Sequence, residues 1–160
     1  MTIIGIDPGA GGAMAVWNKG ISRIYKCPAN TEVMADIVKA ANYIDKTKKV
    51  FAYIELVHAM PHDGRSSLFK FGTNYGKWLG ILGAYKVPTT LVSPQKWMKY
   101  WKDKLNIKLS KDKSSRKREL KEIASHYTDK KITLYNADAI LITMYGMYDK
   151  QKGERNVENR

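Results

Sequence analysis

The chain has 160 residues, of which 44% are hydrophobic, and its 28 Lys and Arg outweigh 15 Asp and Glu to give a formal net charge of +13 at pH 7. That length excludes a large two-lobed enzyme and suits a single domain over residues 1–160, with about the last ten polar residues read as a tail. So large a positive excess repels itself unless an anion is the normal companion, which makes nucleic acid the first expected partner.

No apolar stretch approaches the roughly 20 residues needed to cross a bilayer, so no membrane partner is expected. The opening Met1-Thr2-Ile3-Ile4-Gly5-Ile6-Asp7 reads as a strand, without the basic region and cleavage site of a signal peptide; a cytoplasmic location follows as an expectation. The single Cys27 has no partner for an internal disulfide and no Cys or His at metal-ligand spacing, so zinc is not expected.

In chain order, Ile3 to Asp7 is a strand and Pro8 to Gly12 a turn. Ala13 to Trp17 and Ile21 to Tyr25 form a hairpin through Asn18-Lys19-Gly20. Thr31 is the expected N-cap of a helix whose apolar positions Met34, Ile37, Val38, Ala41 and Ile44 recur at helical spacing. Val50 to Glu55 is a strand too continuously apolar for an exposed ribbon, as suits a central position covered on both faces. A loop over His58 to Ser66 leads to a helix from Ser67 to about Tyr85. Pro88 to Val92 is a further strand, and a helix starts near Pro94. A polar connection spans Asn106 to Ser114, a basic helix Ser115 to about Tyr127, and an apolar helix Asn136 to about Tyr148. The fold class is α/β, and the element order resembles that of the ribonuclease H-like fold: a five-stranded mixed sheet flanked by helices.

Three acids stand at element ends. Asp7 closes the first strand, Glu55 closes the central one, and Asp138 lies in the first turns of the last helix. Each alone reads as a turn former, a loop residue or a helix-start charge. In the ribonuclease H-like arrangement, however, the three converge. Clustered carboxylates repel and raise one another's pKa unless cations neutralise them, and magnesium prefers such hard oxygen donors. Two such ions about 4 Å apart serve phosphodiester cleavage by activating water and stabilising the leaving oxygen. The basic residues are concentrated too: between Lys96 and Lys131, thirteen Lys and Arg face five acids, as a phosphate-binding surface requires.

Gly5-Ile6-Asp7-Pro8-Gly9 with Gly12, Tyr53-Ile54-Glu55, and Ala137-Asp138-Ala139-Ile140-Leu141 together resemble the acidic motifs of RuvC-type Holliday junction resolvases. Pro61 to Gly83, with Ser67-Leu68-Phe69, Gly72 and Gly76, is similar to the phage-encoded branch, and the resemblance runs from Met1 to about Tyr148. It implies a homodimer in a bacterial or phage-infected cell that binds four-way and other branched DNA. It further implies symmetric nicking of two strands, leaving 5′-phosphate and 3′-hydroxyl ends. Asp7, Glu55 and Asp138 would hold Mg2+, with Mn2+ able to substitute and two ions per site. Lys111 and Lys113 resemble basic residues that contact DNA near the cut and stabilise transition-state charge. Lys113, Arg116, Lys117 and Arg118 are the expected DNA-binding stretch. His58, in the loop after Glu55, is the candidate that stacks into the junction crossover, with Phe69 and Phe71 as rivals whose spacing favours core packing.

The chain departs from the family at the fourth ligand. About one helical turn before Asp138 stand Leu134, Tyr135 and Asn136, and only Asn136 offers an amide oxygen. Either Asn136, or a distant residue such as His126 or Asp129, completes the coordination of the second ion, or that ion is held mainly by DNA. A noncatalytic branched-DNA binding protein therefore remains an alternative, as does a ribonuclease H-like nuclease acting on RNA:DNA hybrids or replication forks. Gly72, Gly76, Gly80 and Gly83 share one side of a helix, which suits packing on the sheet or a dimer seam. Gly72-Thr73-Asn74-Tyr75-Gly76-Lys77 has the wrong spacing for a P-loop, so no nucleotide cofactor is expected. Gly5 to Gly9 also resembles a phosphate motif of actin-like ATPases, but those need two such domains. No Gly-x-Ser-x-Gly elbow supports a hydrolase triad.

Overall fold

The computed structural model describes residues 1–9, 11–28, 30–44, 49–56 and 64–158, with side chains described as far as Glu154 and excluding that of Ile44. His58 and His62, and with them the expected crossover-stacking loop, lie outside the described residues.

The strands are β1 (Thr2–Ile6), β2 (Ala13–Trp17), β3 (Ile21–Lys26), β4 (Val50–Glu55) and β5 (Thr89–Val92). The helices are α1 (Thr31–Ile44), α2 (Arg65–Ala84), α3 (Pro94–Leu105), α4 (Lys113–Ser125) and α5 (Ala137–Glu158). The strands form one five-stranded mixed sheet in the order β3-β2-β1-β4-β5. β1 pairs antiparallel with β2 and parallel with β4, whose other edge takes β5 in parallel. The expected α/β class and strand number are both present.

Alternation along β1 divides the core into two layers, because successive side chains leave a strand on opposite faces. Ile3 packs with Tyr53, Trp97, Trp101, Leu120 and the apolar face of α5 on one side. Ile4 and Ile6 pack with Met34, Val38, Trp78 and Leu82 of α1 and α2 on the other. Helix α5 approaches β1 closely enough that a Cβ on Gly5 would overlap Thr143 and crowd the backbone oxygen of Ala139. The absence of a side chain at Gly5 thus sets the height of α5 above the sheet, and with it the position of Asp138.

Several local expectations are corrected. Asn30, rather than Thr31, caps α1: its Oδ1 accepts from the backbone N–H of Glu32 at 2.7 Å and of Val33 at 3.4 Å. Helix α5 continues past Tyr148 to Glu158, through polar residues that carry no apolar periodicity. The glycines of α2 do not pack on the sheet. A Cβ at Gly72, Gly76, Gly80 or Gly83 would meet nothing within 4 Å, while Trp78, Ile81 and Leu82 make the buried contacts. Phe69 is not a core residue either: it is 77% exposed near the start of α2, and Phe71 is half-buried.

Candidate active site

β1 and β4 run parallel and side by side, so their C-terminal ends bring Asp7, just beyond β1, next to Glu55, the last residue of β4. Asp138 enters from the first turn of α5, which rests on β1 and β2. The sequence therefore folds three distant acids to one end of the sheet. All three are largely withdrawn from water. Burial pushes Glu55 up to about 7, reinforced by the charges of Asp7 and Asp138. Burial followed by the charge of Asp7 pushes Asp138 up to about 6, against the opposing pull of Lys117 and Arg116. Asp7 is also raised by burial, with the Gly9 N–H and Lys117 working the other way.

Each carboxylate has its own support. Asp7 Oδ1 accepts from the backbone N–H of Gly9 at 3.0 Å. The returning loop lies so close over Asp7 that a Cβ at Gly12 would overlap its carbonyl oxygen, and the buried Cys27 thiol donates to that same oxygen at 3.1 Å. Glu55 Oε1 accepts from the indole N–H of Trp97 at 3.0 Å. Asp138 Oδ2 lies 3.9 Å from Lys117 Nζ, a long ion pair whose acid is 15% exposed and whose base is 39% exposed. Among the described residues no three Asp, Glu, His or Cys side chains are drawn close enough to enclose a metal ion.

The basic residues separate into roles. Lys117, expected only as a DNA contact, faces the carboxylates and lowers the pKa of all three. Arg116 Nη1 donates to the carbonyls of Ser110 at 3.1 Å and Lys111 at 3.0 Å, which clamps the turn into α4. Asp112 caps that helix by accepting from Ser115 N–H at 2.7 Å. Lys111, Lys113 and Arg118 stand exposed around the same turn. Asn136 is engaged in the turn before α5, where its Oδ1 accepts from Thr133 N–H at 2.8 Å and its Nδ2 donates to Lys131 O at 3.2 Å. His126 lines a separate hollow with Leu105, Ile107 and Lys108, and Asp129 is exposed in the turn beyond α4. Trp97 is the site residue that the sequence did not disclose. Its one signal was position, three residues into a helix that starts directly after β5, the strand beside Glu55.

No protein-family model matches the chain, and no curated protein is similar to it in sequence. Among solved structures, that of Thermus thermophilus RuvC in complex with Holliday junction substrate aligns over 96% of each chain, with a TM-score of 0.64 and 15% identity. The chain carries the RuvC fold. A second Thermus thermophilus RuvC structure aligns over 96% of this chain and 97% of its own, with a TM-score of 0.59 and 16% identity. The shared RuvC architecture is the ribonuclease H-like one expected from the element order. A shared fold does not by itself assign the chemistry, which resides in the site's own side chains.

Proposed function

We propose that this protein is a structure-selective endonuclease that resolves Holliday junctions and related branched DNA by metal-dependent hydrolysis, nicking two strands symmetrically as a homodimer. The observation that carries the reading is the convergence of Asp7, Glu55 and Asp138 at one end of the sheet, where burial raises all three pKa values and the charge of Asp7 raises those of Glu55 and Asp138 further. A fold keeps so unfavourable a cluster where it has a use for it.

The donor set fits a hard cation: three carboxylates, all oxygen, in a site whose described positive charge comes from Lys117 and Arg116. Asp7, Glu55 and Asp138 would hold Mg2+, or Mn2+ in its place. When bound, such a cation supplies Lewis-acid activation of water and stabilisation of the leaving oxygen. The chain's own groups do the rest. The Gly9 N–H and the Trp97 indole hold one oxygen each of Asp7 and Glu55, leaving the other oxygens for ligation. Lys117 offsets charge at Asp138 and is placed to contact a phosphate. Lys111, Lys113 and Arg118, exposed near the start of α4, would track the backbone of the arms.

The open glycine face of α2 supports the dimer, since Gly72, Gly76, Gly80 and Gly83 leave a helix surface that a second copy can approach closely. An isologous pair would present two equivalent sites to the two equivalent strands of a four-way junction. Phe69, exposed near the start of α2, joins His58 as a candidate for stacking at the crossover.

Incubation with labelled four-way, three-way, RNA:DNA hybrid and linear substrates, in magnesium or in EDTA, tests the reading. Paired nicks in the four-way junction, dependent on magnesium, are expected. Junction binding without cutting would establish the noncatalytic alternative, and preferential cutting of the hybrid would establish the ribonuclease H-like one.

A further inference from the structure

A groove of about 560 Å3 opens between the edge strand β3 and the segment that joins α4 to α5. Its lining includes Arg23, Tyr25, Lys26, Lys130, Lys131 and Tyr135, and among the described residues that line it none is acidic. Gly12 and Asn136 line it as well. The first lies against Asp7 and the second leads into the turn of α5 that carries Asp138, so the groove ends next to residues that hold two of the candidate site's carboxylates.

Tyr135 stands at that junction. A Cβ on Gly11, in the loop after Asp7, would lie 3.3 Å from Tyr135 Cδ1, yet the tyrosine is 64% exposed. Its backbone is firmly held. Thr133 Oγ1 accepts from the N–H groups of Tyr135 and Asn136, both at 3.3 Å, and the Asn136 amide closes the turn onto Thr133 and Lys131. An aromatic ring on a fixed backbone, open on one side and flanked by cations, loses little conformational freedom when a flat ligand lies on it. The three observations together describe what unpaired nucleic acid needs: positive charge along a groove for phosphates and an exposed ring for a base.

We infer that this groove binds the single DNA strand flanking the scissile phosphate, with Tyr135 stacking on an unpaired base and Arg23, Lys26, Lys130 and Lys131 meeting the phosphates. The inference rests on the reading of the carboxylate cluster as a DNA-cutting site, and it adds a positioning residue and a strand path to that site. A duplex arm does not offer an unstacked base; a strand opened at a branch point does.

The test is photo-cross-linking of the full chain to a four-way junction carrying 5-iododeoxyuridine at successive positions near the crossover, in EDTA so that no cutting occurs. A cross-link mapping to Tyr135 is expected. Tyr135→Ala should remove it and weaken junction binding about tenfold, while Tyr135→Phe keeps both. Replacing Arg23, Lys130 and Lys131 with Gln should reduce the slope of log affinity against log salt by about 2, at roughly 0.7 per single-strand phosphate contact. Cross-links confined to other residues, or wild-type affinity in Tyr135→Ala, would overturn the inference. Cross-linking through Tyr135 by a protein that never cuts junctions in magnesium would sink the nuclease reading and leave the groove assignment standing.

Discussion

The indole N–H of Trp97, in the first turn of α3, donates a 3.0 Å hydrogen bond to Glu55 Oε1 at the end of β4. This bond favours the ionised form of Glu55 against burial and against the charge of Asp7. Trp97 is thereby a positioning residue for the cluster. Trp97→Phe keeps most of the buried ring and removes the donor, so the Glu55 carboxyl, already pushed up to about 7 by burial, should rise further. The cleavage-rate profile should move to higher pH, with a loss of about tenfold or more at pH 7 that shrinks by pH 9, as expected for a hydrogen bond to a charged group worth ~1.5–3 kcal/mol. An unshifted profile would show that Trp97 only fills space.

The raised carboxylates also make stability depend on pH. Glu55 and Asp138 have folded-state values of about 7 and about 6, above the ~4.3 and ~3.9 of an unfolded chain. The fold therefore favours their protonated forms. Their contribution to stability is complete below pH ~4 and is lost as pH rises through 6 and 7. In EDTA, the melting temperature of the wild type should fall relative to that of Glu55→Gln between pH 4 and pH 8. Magnesium at pH 8 should raise the wild type more than the variant, because a cation offsets the repulsion among carboxylates that are ionised at that pH, and the variant has one fewer of them. A difference between the two proteins that stays constant with pH contradicts this.

Gly5→Ala tests how the sheet carries the site. The added Cβ overlaps Thr143 and crowds the α5 backbone, so the helix must rise from β1. Overpacking of this kind costs about 1–3 kcal/mol, and the displaced Asp138 should cost activity beyond that loss of stability. Denaturant unfolding together with junction cleavage at a temperature where the variant remains folded would separate the two. Full activity in a folded Gly5→Ala would mean that the placement of Asp138 tolerates movement of α5.

The three acids of the candidate site were legible in the sequence because Asp7 and Glu55 close apolar strands and Asp138 stands at the start of an apolar helix. Their neighbours were not. The pairing of Trp97 with Glu55 depends on the β4–β5 register and on where α3 begins, neither of which a linear pattern states. Lys117 reads as one more cation in a basic run until α4 packs against α5 and turns it toward Asp138. Arg116 reads the same way, although its guanidinium is used on two carbonyls of its own turn. The spacing of Phe69 at the start of a helix favours core packing, but it lies on the open side of α2, and only the face chosen by Trp78, Ile81 and Leu82 decides that. The polar last turns of α5 carry no apolar stripe from which a helix is read.

Lys113 and Arg118 are exposed, whereas Arg116 clamps a turn and Lys117 serves the carboxylates, so the outer pair reports DNA contact most cleanly. The double substitution to Ala should lower the slope of log affinity against log salt by about 1.8, at roughly 0.9 per duplex phosphate contact. Metal dependence should not change. A slope equal to that of the wild type would take this part of α4 out of the interface.

The central claim is that Asp7, Glu55 and Asp138 act together as cation ligands for cutting branched DNA, and Asp7→Asn addresses it most directly. The substitution would remove a proposed ligand and take away one negative charge while keeping the side chain's size. Single-turnover cleavage of a labelled four-way junction across a magnesium titration, read beside junction affinity in EDTA, is the measurement. The account predicts a cleavage rate lower by about a thousandfold, equivalent to ~4 kcal/mol of transition-state stabilisation, with junction affinity equal to or tighter than that of the wild type. Cleavage by Asp7→Asn at the wild-type rate would contradict it.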